Sequence, residues 1–180
     1  MITLTIILIA IPIILIIALF TRKGITTEAA IDINQPQQQV FEYLTILKNQ
    51  EHYNAWLMID PNMKITYTGT DGQAGAAMAW QSKNKKDGTG SQRIVSATAP
   101  ESIEIELVLE KPIPSIARYW FTLSTVKEGT THVTWRYEGN TAPYYLLRVT
   151  HLLLQLKKRV RKYMEASLAN LKNALENNQR

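Results

Sequence analysis

The nineteen residues from Ile2 to Phe20 carry no charged side chain, fourteen of them are Ile, Leu or Phe, and Arg22 and Lys23 follow almost at once. As a helix this run would reach about 28 Å, close to the hydrocarbon thickness of a bilayer. Its Ile, Leu and Phe side chains each favour insertion by roughly 0.3–0.6 kcal/mol near the helix centre. Thr3, Thr5 and Pro12 subtract from that total without reversing it. A proline kink is tolerated in lipid when neighbouring groups re-satisfy the freed carbonyl. The competing reading is a cleaved signal peptide. Against it, no basic residue precedes the run, its length exceeds the roughly 7–15 residues of a signal h-region, and Ala18-Leu19-Phe20-Thr21 lacks a small-x-small cleavage pattern. The expectation is a single transmembrane anchor over residues 1–21, a tether over 22–27 and one folded domain over 28–178. Arg22 and Lys23 place that domain on the cytoplasmic side by the positive-inside rule, so the expected location is a single-pass membrane protein.

The remaining residues, about 155, fit one domain with a sizeable core. There is no cysteine, which excludes a disulfide framework, thiolate catalysis and cysteine zinc sites. The formal net charge is +5, and its distribution matters more than its size. From Pro143 onward there are eight basic residues and two acidic ones, so the C-terminal segment holds the whole basic excess.

Hydrophobic periodicity orders the domain as strand, helix, six strands and long helix. Glu28 to Asn34 alternates weakly. Pro36 suits the first position of a helix over Gln37 to Lys48, where Val40, Phe41, Leu44 and Leu47 form one apolar stripe. Gln50 to Asn62 reads as irregular. Strands follow over Met63–Thr70, Ala74–Lys83, Ser91–Thr98, Ser102–Glu110, Ala117–Val126 and Thr131–Gly139, separated by turn signals such as Asp71-Gly72 and Glu128-Gly129. In Ser102–Glu110, Ile103, Ile105, Leu107 and Leu109 alternate with Glu104, Glu106, Val108 and Glu110, giving one buried and one wet face. Pro143 opens a long helix to about Asn177, whose stripe includes Leu153, Val160, Met164, Leu168, Leu171 and Leu175. Hairpin-linked strands with one apolar face imply an antiparallel sheet covered by that helix, an α+β domain.

Several local patterns match one family. They are Ile33-x-x-Pro36-x-x-x-Val40-Phe41, Trp56 with Asp60-Pro61-x-Met63, Tyr67-x-Gly69 and Gly75-x-Ala77-x-x-Trp80. Pro100-Glu101-x-Ile103, Lys111-Pro112 and Gly129-Thr130-x-x-Val133-Thr134-Trp135 complete the set. Over Thr27 to Leu175 the chain resembles the START/polyketide-cyclase (SRPBCC) superfamily. It looks most similar to membrane-anchored bacterial members described as polyketide cyclase or lipid-transport-like. The resemblance implies a helix-grip (START-like) fold, a curved antiparallel sheet wrapped around a long C-terminal helix, here preceded by the transmembrane helix. It also implies an apolar cavity between sheet and helix. Members range over lipid transfer, cyclisation, ring hydroxylation and regulation, so no catalytic set carries over.

The candidate ligand-binding residues follow from strand phase together with that resemblance. Met78, Trp80, Ile105, Leu107, Tyr119, Phe121, Trp135 and Tyr137 share inward phases. Trp56 and Tyr67 belong to the matching patterns, and Leu153, Val160 and Met164 to the helix stripe. Apolar pockets with few polar tips suit hydrophobic ligands, although the same set would serve equally as ordinary core. Asp60 and Arg118 are the candidate polar groups of the cavity mouth, with Asp60 also reading as a turn former. Ala74 to Ala79 is rich in small residues and leaves room on the sheet.

His52, His132 and His151 lack metal-ligand spacing, and no HExxH, phosphate loop or nucleophile elbow is present. No metal, cofactor or catalytic residue is therefore assigned. In Lys157-Lys158-Arg159-Val160-Arg161-Lys162, five of six residues are basic while Val160 keeps the apolar stripe intact. The pattern fits a solvated helix face, and equally a face meeting anionic headgroups at about 1 kcal/mol per basic residue. A nucleic-acid partner is not expected, since no stacking platform accompanies the charge. Three functions remain: a membrane-tethered carrier of a lipid or isoprenoid-like molecule, a cyclase/dehydratase-type enzyme using cavity polar groups, and a filled, non-catalytic partner-binding module.

Overall fold

The alternating segments pair into one seven-stranded antiparallel sheet in the order β1-β7-β6-β5-β4-β3-β2. The strands are β1 (Gly24–Ile33), β2 (Lys64–Thr68), β3 (Ala77–Gln81), β4 (Thr89–Thr98), β5 (Ser102–Lys111), β6 (Ser115–Lys127) and β7 (Thr130–Asn140). Between β1 and β2 lie helix α1 (Gln37–Thr45), a 3-10 turn (Leu47–Asn49) and the single-turn helix α2 (Gln50–Tyr53). Helix α3 (Leu156–Asn177) closes the fold. The computed structural model describes residues 12–13, 24–84, 88–112, 114–140 and 156–177.

Every strand inferred from periodicity is present, with end shifts of at most a few residues. The first strand differs most. Gly24 to Thr27, expected as tether, pairs with Asn140, Gly139, Glu138 and Tyr137 as the opening of β1. An exposed β7 edge offers unpaired N–H and C=O groups, and these four residues satisfy them. The helix expected over Gln37–Lys48 ends at Thr45, and the segment expected to be irregular begins with α2. Pro36 stands at the N-cap of α1, one position earlier than expected.

Of the expected anchor only Pro12 and Ile13 are described, both helical. The rest of it, Arg22 and Lys23 of the tether, and residues 143–155 of the expected C-terminal helix, Leu153 among them, lie outside the described residues. Among the described residues, no helix is long and apolar enough to cross a membrane.

Strand alternation sends Ala29, Ile33, Met78, Trp80, Ile94, Ile103, Ile105, Tyr119, Phe121, Leu123, Val133 and Trp135 to one face, where all are buried. Helix α3 buries Val160, Met164, Leu168, Leu171 and Leu175, spaced by three and four residues, against that face. It runs along β1. The C-terminal end is pinned where Gln35 Nε2 donates to the Leu175 carbonyl (2.9 Å) and Lys172 Nζ to the Asp32 carbonyl (2.7 Å). Its middle meets the α2 region. Ser167 Oγ accepts from the Ala55 amide (2.9 Å), and Trp56 stacks on Tyr163 with ring centroids 4.8 Å apart.

Leu168, 1% exposed, is a fair probe of this grip. Leu168→Ala should cost about 2–5 kcal/mol in urea unfolding, whereas Ile116→Ala on the outer face should stay within about 0.5 kcal/mol.

Candidate functional site

Register turns the inner face into rows that run across the sheet. One row is Ile94, Ile105, Tyr119, Tyr137 and Thr27. The next, towards the α1 end, is Ala97, Ile103, Phe121, Trp135 and Ala29. These two rows are the centre of the concave face, where all but the half-buried Ala97 and Tyr137 are buried. Tyr119, Phe121 and Trp135 form an aromatic cluster with centroid separations of 4.8 to 5.8 Å.

A neutral polar ring is set into this centre. Tyr119 Oη donates to Gln92 Oε1 (2.7 Å), Gln92 Nε2 donates to Gln50 Oε1 (2.8 Å), and Gln50 Nε2 donates to Tyr119 Oη (3.2 Å). Asn54 Nδ2 adds a bond to Gln50 Oε1 (2.9 Å), and Asn54 Oδ1 accepts from the Trp56 amide (3.1 Å). Gln50, Gln92 and Tyr119 are all at most 4% exposed. Buried amides and phenols need such partners, and here each finds them in the others. Burial pushes the Tyr119 hydroxyl well above the usual phenol range, only partly offset by the Gln50 hydrogen bond. Tyr53 is raised well above it too, by burial first and then by the neighbouring Tyr119 and Tyr43.

Towards the other end of the sheet the same face changes character. The next rows hold Ile25, Gly139, Ala117, Leu107, Gln92, Met78 and Tyr67, then Leu109, Gly90, Trp80 and Ile65. Ile25, Leu107, Leu109, Ile65, Tyr67 and Tyr137 are only half-buried, as are Trp56, Leu57, Met63 and Leu156 beside them. The floor is low here. A Cβ on Gly139 would lie 2.7 Å from the Tyr137 ring, and one on Gly90 2.6 Å from the Trp80 ring, so both rings lie down on bare backbone. Burial pushes the Tyr137 hydroxyl up to about 12. This open apolar end is where β1 begins at Gly24.

The thirteen proposed ligand-contacting residues therefore divide. Met78, Trp80, Ile105, Tyr119, Phe121, Trp135, Val160 and Met164 are buried in one core. Trp56, Tyr67, Leu107 and Tyr137 form the half-open rim, and Leu153 lies outside the described residues. The two expected mouth groups also part. Arg118 is on the wrong face. Its neighbours Ala117 and Tyr119 point inward, so alternation sends it outward, where it meets Glu104 (2.9 Å) and Glu106 (3.6 Å). Asp60 stands at the open end but is occupied as a turn former. Ser82 Oγ donates to one of its oxygens and the Asn62 amide (2.9 Å) to the other, and these bonds hold its carboxyl below the usual range. Tyr67 donates to Glu51 (2.6 Å) on the rim, and its hydroxyl is raised by burial and then by that carboxylate.

Charge is confined to the outside. Glu104 and Glu106 form a ladder with Arg93 and Arg118, Arg136 pairs with Glu138, and His132 Nδ1 meets Asp32 at 2.6 Å on the outer face. Among the described residues, every buried polar side chain is a neutral amide or hydroxyl, the indoles of Trp80 and Trp135 aside. On α3, Lys157, Lys158, Arg159, Arg161 and Lys162 are exposed. Arg161 pairs with Glu165 (2.8 Å), and the other four have no ion pair among the described residues. Lys157 and Arg161 flank Thr26–Ala30 of β1, at the end where the concave face is open.

Sequence reading missed Gln50, Tyr53, Asn54 and Gln92. Gln92 sits on the inward phase between Gly90 and Ile94, so a polar residue on an apolar phase was a visible signal. Gln50 and Asn54 lie where no periodicity exists.

The sequence profile of the polyketide cyclase/dehydrase and lipid transport family matches residues 24–176. The chain belongs to this family. Its match begins at the first residue of β1, in agreement with the pairing of Gly24. No curated protein sequence matches the chain. Among solved structures, norcoclaurine synthase from Thalictrum flavum, in complex with dopamine and hydroxybenzaldehyde, is similar at a TM-score of 0.63 and 9% identity, covering 88% of this chain and 90% of that one. A Chromobacterium violaceum protein matches at 0.59 and 13% identity, covering 84% and 96%, and a Nitrosospira multiformis protein at 0.58 and 15%, covering 87% and 100%. At these identities the likeness establishes the helix-grip fold alone.

Tyr119→Phe should cost about 1–3 kcal/mol in urea unfolding, because it strips a partner from both Gln50 and Gln92. Buried phenols that stay protonated while the unfolded chain ionises also set a pH window. Stability should be flat up to the ordinary phenol value near 10 and fall above it by about 1.4 kcal/mol per pH unit per buried tyrosine. Tyr119→Phe should remove its share of that alkaline slope, read by urea titrations between pH 8 and 11.

Proposed function

We propose that this protein is a membrane-tethered carrier of a hydrophobic ligand, a lipid or isoprenoid-like molecule, taken up at the open end of the concave face. Its family supports hydrophobic ligand binding. One observation carries the finer reading: the half-exposed apolar rim lies at the sheet end where β1 starts, and β1 starts four residues after Phe20. Four residues span at most about 14 Å. With Ile2–Phe20 in a bilayer, the open end is held close to the lipid surface, on the cytoplasmic side if Arg22 and Lys23 obey the positive-inside rule. The unpaired cations of α3 begin at the same end and would turn the rim towards anionic headgroups. An apolar chain then moves from lipid to protein with little exposure to water, where each exposed CH2 costs about 0.8 kcal/mol.

Binding without covalent change fits the polar groups better than cyclase-type chemistry does. General acid–base work needs a group within reach of the substrate and a pKa near the working pH. Arg118 faces outward, Asp60 is held ionised by Ser82 and Asn62, and the Tyr67 phenol is raised.

Native mass spectrometry of residues 24–180, with organic extraction, should find a stoichiometric apolar molecule. A clean apo mass that persists after incubation with lipid vesicles would reject the carrier reading. In vesicle co-sedimentation, the same domain should prefer membranes with 30% anionic lipid to neutral ones. Charge reversal of Lys157, Lys158, Arg159 and Lys162 to Glu should weaken that preference at least tenfold, given about 1 kcal/mol per basic residue.

A further inference from the structure

Three buried polar groups are left out of the otherwise complete hydrogen bonding of the centre. Tyr53 Oη, Trp135 Nε1 and Thr27 Oγ1 are shielded from solvent and have no hydrogen-bond partner among the described residues. Trp135 and Thr27 are on adjacent strands of the inner face, at diagonal positions: Thr27 is opposite Tyr137, and Ala29 is opposite Trp135. Tyr53 comes from α2 above the same centre, beside Tyr119. Leaving such groups unpaired is unfavourable, and a partner brought by a ligand would remove that cost. All three can donate a proton, and the indole N–H can do nothing else. The shared deficit is an acceptor.

The surroundings decide the charge of that acceptor. Among the described residues the buried polar side chains include no carboxylate, ammonium, guanidinium or imidazole. An ionised headgroup here would find no counter-charge, and an isolated buried charge is far costlier than a neutral dipole. Resting on the carrier reading above, we infer that the ligand's buried end is uncharged and carries a hydrogen-bond-accepting oxygen, of the ketone, ester or quinone class, received by Trp135, Tyr53 and Thr27. The rest of the ligand lies along the rim. Tyr137 stands between the open end and these donors. It rests on Gly139 and makes no hydrogen bond among the described residues, so it can turn aside as the ligand enters.

The test uses the full chain in detergent, with thermal unfolding at pH 8 as the readout and 2-undecanone, undecane and undecanoate as probes at equal concentration. The ketone should raise the Tm of the wild-type protein more than the hydrocarbon does, and undecanoate should give no more than the hydrocarbon. Tyr53→Phe and Thr27→Val keep the shape and delete the orphan hydroxyl. Without ligand each should raise Tm, and each should shrink the extra shift given by the ketone. A role in structure alone predicts the reverse in the ligand-free protein, so a lowered Tm in both variants overturns the inference. Equal shifts from ketone and hydrocarbon overturn it while leaving the carrier reading standing. No shift from any probe removes the carrier reading itself, and the inference with it.

Discussion

The ring of hydrogen bonds among Gln50, Gln92 and Tyr119 fixes how the helical crossing sits on the sheet. Strands β4 and β6 and helix α2 meet in it, and among the described residues no other polar contact ties α2 to the centre of the concave face. It is neutral and closed, so it avoids the desolvation cost of a buried ion pair while keeping the directionality that apolar contacts lack. The placement of α2 then sets the placement of α3, through Asn170 on the Tyr53 carbonyl (3.3 Å), Ser167 on the Ala55 amide and Tyr163 on Trp56.

With the ring and the aromatic cluster in the centre, open apolar surface remains at the Gly24 end. Small residues set its depth. Gly90, Ala117 and Gly139 keep the floor low, and the rings of Trp80 and Tyr137 lie flat on it. Charge is partitioned just as sharply. Outer-face ions are matched with one another across β4, β5 and β6, where water screens them and each pair contributes little. Among the described residues, Lys157, Lys158, Arg159 and Lys162 of α3 have no ion pair, and this run begins beside β1. An apolar opening and an adjoining basic face thus share the end of the domain where β1 begins.

Much of the sheet was legible because alternation is a local property. Ile103, Ile105, Leu107 and Leu109 declare their face without reference to anything else, and so do Tyr119 and Phe121. The same logic held the answer for Arg118, since two inward neighbours force it outward. Gly24 to Thr27 was not legible as strand. Its alternation is too short to stand above noise, and its strand state comes from pairing with a β7 edge more than a hundred residues away. The polar ring was half visible, as Gln92 breaks an apolar phase while Gln50 breaks nothing.

The sequence alone determined the class of fold, the inward set of strand residues, the family and the location of the basic excess, because periodicity, local patterns and charge are written along the chain. Tertiary structure decided which inward residues are sealed core and which form an open rim, which polar groups satisfy each other and which are left without a partner. Those distinctions depend on strand register and on where α2 crosses the sheet, distances set between residues far apart in the chain.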